Sequence, residues 1–121
     1  MKLVIQGTLP SLNQYIYACR NNKYAGSKMK KEIENKITLF IKTQLKTQIK
    51  GSVKLSFRWY EPNRRRDLDN IAMSKKFILD ALVKNGILEN DNWQHVQGFT
   101  DEFFIDKENP RVEVEINEVE L

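Results

Sequence analysis

Val53-Lys54-Leu55-Ser56-Phe57-Arg58-Trp59-Tyr60-Glu61-Pro62-Asn63-Arg64-Arg65-Arg66-Asp67-Leu68-Asp69-Asn70-Ile71-Ala72 changes its hydrophobic period partway along. Val53, Leu55, Phe57 and Trp59 alternate with Lys54, Ser56 and Arg58, the pattern of a half-buried strand. Glu61 to Arg66 then forms a loop. From about Leu68 to Lys84 the spacing predicts a helix, with Ile71, Ile78, Ala81 and Leu82 on its inner stripe and Phe77 at the border. Asn85-Gly86 stops it. A strand, a charged loop and a helix in succession set the core of the fold.

The flanks extend this reading. Residues 2–9 carry Leu3, Ile5 and Leu9 in a strand-like alternation that Pro10 and Asn13 end. Residues 16–26, rich in Asn and Lys, read as a loop. Ser27 is placed to cap a first helix, with Ile33, Ile37, Phe40, Ile41 and Leu45 on one face and Lys30, Lys31, Lys42, Lys46 and Lys50 mostly off it. Gly51 and Ser52 end it. Residues 87–92 form a turn, and strands of about 94–105 and 111–119 close the chain around Pro110. The expected architecture is a single α+β domain over residues 1–121. Its order is β-α-β-α-β-β, a mixed four-stranded sheet with two helices packed on one face.

A chain of 121 residues, 40% hydrophobic, supports one modest core. No apolar run approaches the roughly 18 residues of a membrane helix. The single cysteine, Cys19, forms no internal disulfide and no zinc cluster, so a reducing cytoplasmic setting is the expectation. The net charge of +4 hides an asymmetry. Residues 1–66 hold fifteen Lys/Arg against three Asp/Glu, a balance of +12. Residues 67–121 hold five against thirteen, a balance of −8. The sign changes at the Arg66–Asp67 bond. Two readings follow: solvated faces whose charges cancel across the fold, or a basic surface for a polyanion beside an acidic metal pocket.

Arg64, Arg65 and Arg66 are suited to phosphate. Asp67 and Asp69, one residue apart and next to Asn70, are suited to a hard divalent cation such as Mg²⁺. Phosphate binding and a metal together are what metal-assisted cleavage of nucleic acid requires. The ordinary alternative is that an aspartate caps the helix while the arginines neutralise the pair. Asp91, in the polar turn Asn90-Asp91-Asn92, is a third candidate ligand, or an ordinary turn aspartate. Lys76, seven residues after Asp69, shares its helix face and is placed to approach a phosphate, or to pair with Asp80. Lys75 lies about a hundred degrees away and is the weaker choice. His95, the lone histidine beside Trp93, reads as a packed strand residue. Tyr15, Tyr17 and Tyr24 among Arg20 and Lys23 suit stacking on bases or packing on the sheet edge. No phosphate-binding glycine loop or dinucleotide fingerprint is present.

Leu9-Pro10-Ser11-Leu12-Asn13, Arg65-Arg66-Asp67-Leu68-Asp69-Asn70, Lys76-Phe77-Ile78-Leu79-Asp80-Ala81-Leu82 and Gly86-Ile87-Leu88-Glu89-Asn90-Asp91 together resemble the RusA family of Holliday-junction resolvases, the crossover junction endodeoxyribonucleases. The resemblance implies a Mg²⁺-dependent homodimer that cuts four-way DNA junctions with paired symmetric nicks. It implies Asp67, Asp69 and Asp91 as catalytic metal ligands and Lys76 as the active-site lysine. Phosphate and strand contacts are expected from Arg64, Arg65, Arg66, Asn13, Tyr15, Lys30 and Lys31. The stretch from Asp69 to Asp80 is about three residues longer than in the type member, so Lys76 aligns only by counting back from Asp80. Asn90 stands where the type member has a second aspartate. A non-catalytic basic DNA-binding protein is the alternative, and a module whose acidic C-terminal strands bind a basic partner is another.

Overall fold

The computed structural model describes residues 1–119. Strands β1 (Lys2–Gln6), β2 (Ser52–Glu61), β3 (Val96–Ile105) and β4 (Arg111–Val119) form one sheet in the order β1-β4-β2-β3. β4 runs antiparallel to both β1 and β2, and β3 runs parallel to β2. The sheet is mixed and the class α+β, as the pattern implied. Four helices occur where two were expected: α1 (Leu12–Asn21), α2 (Ala25–Gln44), α3 (Leu68–Ala72) and α4 (Lys75–Lys84).

Alternation along β2 decides which side of the sheet is buried. Val53, Leu55, Phe57 and Trp59 join Leu3 and Ile5 of β1 and Val112, Val114 and Ile116 of β4 against Ile33, Ile37 and Ile41 of α2 and Phe77, Ile78 and Leu82 of α4. The same period carries Glu61 onto the core side, where it is 7% exposed. The opposite face is polar. Arg58 faces Glu102, Glu113 and Glu115 at 3.9, 3.7 and 3.3 Å, and Lys2 and Arg111 also reach Glu113, at 3.0 and 2.7 Å. On this face the charges of the basic and acidic halves do cancel.

Four departures concern segments near the loop. β1 ends at Gln6 because Gly7 turns the chain at a φ of +85°, which a side chain would resist. Residues 12–21 are helical: Ser11 Oγ accepts from the Gln14 amide while Gln14 Oε1 accepts from the Ser11 amide, a reciprocal capping box. α2 begins at Ala25 with Tyr24 at its N-cap, two residues before Ser27, and ends at Gln44. Its close approach to α1 depends on Gly26. A methyl group there would lie 2.4 Å from Cys19 Sγ and 3.2 Å from Cys19 Cα. The predicted helix over 68–84 is broken. Ser74, 1% exposed, donates its hydroxyl to the Pro10 carbonyl at 2.6 Å, and the chain turns between α3 and α4 at Met73-Ser74.

Candidate functional site

Glu61 brings a carboxylate into the core, and the arginine loop answers it. Arg66 Nη1 lies 3.8 Å from Glu61 Oε1 and donates to the Leu9 carbonyl at 2.7 Å, while Nη2 donates to Gln14 Oε1 at 3.1 Å. Burial pushes the Glu61 carboxyl above its usual range, and the Arg66 charge pulls it partly back. Arg66, expected among the phosphate binders, is therefore turned inward as a brace. Arg64 and Arg65 are exposed and, among the described residues, pair with no carboxylate. Asn63 Oδ1 accepts from the Arg65 amide at 3.0 Å and shapes the loop tip.

Segment 9–14 holds the far side of this loop. Besides the Leu9 and Pro10 carbonyls, the Asn13 amide donates to Asn70 Oδ1 at 3.2 Å. Asn13 thus contacts the aspartate motif itself. α3 is pinned by Asn70 at one point and Ser74 at another, with Asp67 and Asp69 exposed between the arginines and these anchors.

Asp67 occupies the N-cap position of α3, yet its side chain accepts no capping hydrogen bond. Asp69 Oδ1 accepts only from the amide of Asn70, at 3.0 Å. Among the described residues no lysine or arginine lies within ion-pair distance of either. The ordinary alternative required a cap and neutralisation by the arginines, and neither is formed.

Asp91 is brought back to the start of α4. Lys76 Nζ lies 3.5 Å from Asp91 Oδ2 and 3.0 Å from Asp80 Oδ1. The hydrogen bond donated to Asp80 above all, with the charges of Asp80 and Asp91, raises the ammonium pKa above its ordinary value against the opposing effect of burial. Lys76 is a fixed cation at neutral pH and no proton acceptor. Of the two readings of this lysine, the pair with Asp80 is formed, and Asp91 lies beside it.

The three aspartates supply hard oxygen donors of the kind Mg²⁺ takes. Their arrangement does not complete a cage: among the described residues no three carboxylate, imidazole or thiol groups lie together closely enough to hold an ion. Asp91 is drawn toward Lys76, and Asp69 toward its own backbone. The donor chemistry fits a divalent cation, and the geometry within one chain does not.

Other expected contacts divide. Tyr15 packs edge-on against Phe77, with ring centroids 5.3 Å apart, instead of facing outward. Lys30 lies 3.8 Å from Asp80, while Lys31 is exposed. His95 lies in the turn before β3 and not in the strand expected; it is half-buried, with its ring against Asn92 Oδ1 at 2.8 Å and Glu89 Oε2 at 3.1 Å. Two features were not foreseen. Lys75 is held by Asp101 at 2.6 Å over the rings of Phe57 and Phe99, and Asp101 also accepts from Trp59 Nε1 at 2.9 Å. That cluster fixes the first turn of α4 to β3. Trp93, two residues after Asp91, is 94% exposed. An open groove of about 550 Å³ runs beside the motif, lined by Asn63, Arg64, Asp67, Leu68, Phe103 and Ile105.

No helix among the described residues is long and apolar enough to cross a membrane. No curated protein matches the chain. The family model described as endodeoxyribonuclease RusA matches residues 7–117, a span that takes in the bracing segment, the arginine loop, all three aspartates and Lys76. With nearly its whole length matched, the chain belongs to the RusA family of endodeoxyribonucleases.

Proposed function

We propose that this protein is a Mg²⁺-dependent endodeoxyribonuclease that cuts four-way (Holliday) junctions as a homodimer, by paired symmetric nicks, in DNA recombination and repair. One observation carries the proposal. Among the described residues, Asp67 and Asp69 are exposed and unneutralised beside two arginines that are also unpaired, although adjacent opposite charges ordinarily find each other. Side chains held apart in this way are available to a ligand that bears both signs, such as a phosphodiester with its counter-cation.

Arg64 and Arg65 bind backbone phosphates and fix the strand's position. Lys76, kept protonated by Asp80 and Asp91, places positive charge where negative charge develops on the scissile phosphate or the leaving oxygen. Asp67 and Asp69 would hold the cation, with Asp91 of the same or the second subunit supplying a further carboxylate. When bound, the cation supplies charge neutralisation at phosphorus and activates water for attack. A two-fold dimer matches a two-fold junction and places two cuts symmetrically. β3, at the sheet edge with Phe99 and Ile105 exposed, offers a face for the second copy.

The test is a labelled four-way junction incubated with and without Mg²⁺, using the wild type and Asp69→Asn. Paired nicks that require Mg²⁺ are expected, together with an Asp69→Asn protein that binds the junction without cutting it. Cleavage by Asp69→Asn would refute the assignment. Metal-independent binding with no cleavage by the wild type would establish the non-catalytic DNA-binding alternative.

A further inference from the structure

Trp93 is 94% exposed, whereas Trp59, the only other tryptophan, is 2% exposed. Burying a large apolar side chain is worth about 1.5–3 kcal/mol, so an indole left in water forgoes stabilisation that folding could have gained. The turn carrying it is well tied. Asn92 Oδ1 accepts from the Gln94 amide at 3.1 Å and contacts His95 Nδ1 at 2.8 Å. The Asn92 carbonyl accepts from the amides of His95 and Val96 at 3.0 and 2.9 Å. His95 Nε2 is held by Glu89, and the Ser52 hydroxyl donates to the Gln94 carbonyl. The backbone on both sides of Trp93 is tied by these hydrogen bonds, and its indole N–H donates to no group among the described residues.

Position supplies the ligand. Two residues span at most about 7 Å, so the Cα of Trp93 lies within that distance of the Cα of Asp91, whose carboxylate Lys76 meets at 3.5 Å. The turn itself, with Glu89, Asn90, Asp91 and Asn92, offers no cation besides Lys76 and is poorly suited to phosphate. An aromatic face in such surroundings suits the face of a base. In a continuous duplex both faces of each base are covered by stacking; at a branch point or in a single strand they are open. The polar neighbours Asn92 and Gln94 argue against a subunit anchor, which would need an apolar surround.

We propose that Trp93 stacks on an exposed nucleobase at the branch point of the DNA and so favours branched over continuous duplex substrate. The inference rests on the nuclease reading and assigns a recognition residue to the same site. The two tryptophans make it measurable. In chelator-containing buffer, where nothing is cut, a four-way junction is expected to quench the red emission of Trp93 and to shield it from acrylamide. The blue emission of buried Trp59 serves as the internal reference. A continuous duplex of equal length is expected to leave both unchanged. Trp93→Ala is expected to weaken junction binding by about 5- to 150-fold with duplex binding unaltered, and Trp93→Phe to restore most of it.

Junction affinity unchanged in Trp93→Ala, while the wild type still cuts junctions with Mg²⁺, overturns this inference and leaves the nuclease reading standing. A loss of self-association in Trp93→Ala without DNA also overturns it, in favour of a subunit contact. A wild type that neither binds nor cuts branched DNA overturns both.

Discussion

Replacing Arg66 with methionine separates bracing from phosphate binding. The guanidinium makes two hydrogen bonds, to the Leu9 carbonyl and Gln14 Oε1, and is the one cation within ion-pair distance of the buried Glu61 among the described residues. Hydrogen bonds from a charged donor are worth about 1.5–3 kcal/mol when fully buried. The Arg66 side chain is 28% exposed, so about 1 kcal/mol for each is the appropriate scale. Leaving Glu61 without its counter-charge adds a comparable amount, for a total loss of about 2–3 kcal/mol at neutral pH. In a domain of this size that lowers Tm by roughly 8–15 °C. The pH dependence carries the diagnosis. Glu61 has a raised pKa in the folded protein, so its penalty is full above that pKa and shrinks as pH falls toward the unfolded value near 4.5. Without Arg66 the folded pKa rises further, and the deficit relative to the wild type is largest at pH 7 and narrows on acidification. Thermal melts from pH 4.5 to 7.5 measure this. Arg65→Met is the control: Tm nearly unchanged, but the slope of log K against log salt for DNA binding reduced by about 0.9. An Arg66→Met protein with wild-type Tm and a reduced salt slope would refute the bracing role.

Gly26→Ala forces a methyl group against Cys19 Sγ and Cα and is expected to cost about 1–3 kcal/mol in urea unfolding. Adding Cys19→Ala removes the sulfur but not the backbone contact, so partial recovery is expected; a Gly26→Ala protein as stable as the wild type would contradict the close packing of α1 on α2. Asp101→Asn leaves Lys75, whose side chain is 18% exposed, facing a neutral partner, and is expected to cost about 1–3 kcal/mol. Replacing Lys75 and Asp101 together by methionine and leucine is expected to recover most of that loss, measured by the same unfolding curves.

Much of this was readable in the residues, and the exceptions have identifiable causes. β2 was legible because one half-buried face leaves a strict alternation. Continuing that alternation past Trp59 would also have exposed Glu61 as a core carboxylate in need of a cation, and so Arg66 as its partner. α1 was hidden because, of its ten residues, only Ala18 is buried, leaving no apolar period to count. Its signal was instead the spacing of Ser11 and Gln14 in the capping box. The break at Ser74 left no trace, since Ile71 and Ile78, seven apart, continue one stripe across it. Asp101 was masked by its place in a strand whose acidic neighbour, Glu102, faces solvent. The loop and its aspartates were legible as chemistry; the pairing of Asp91 with Lys76 required the chain's path through space.

That path resolves the problem of reach. A single helix over 68–84 would run about 25 Å and leave Asp91 to recross all of it. The break divides the distance. α4 alone has ten residues, about 15 Å, and the five steps from Gly86 to Asp91 extend to about 17 Å, enough to return along it. Gly86, at a φ of +75°, reverses the chain, and the Ile87 and Leu88 amides close it onto the Leu82 carbonyl at 3.0 and 3.3 Å. Asp91 therefore meets the first turn of α4 in the same subunit. α3, freed from α4, takes its orientation from segment 9–14 through Asn70 and Ser74. Across this break Leu9 to Gln14 do what helical continuity would otherwise have done. On this reasoning the N-terminal segment belongs to the site as its brace. Loosening it should disturb Asp67 and Asp69 while leaving the Lys76–Asp91 pair, carried by α4 and its returning turn, intact.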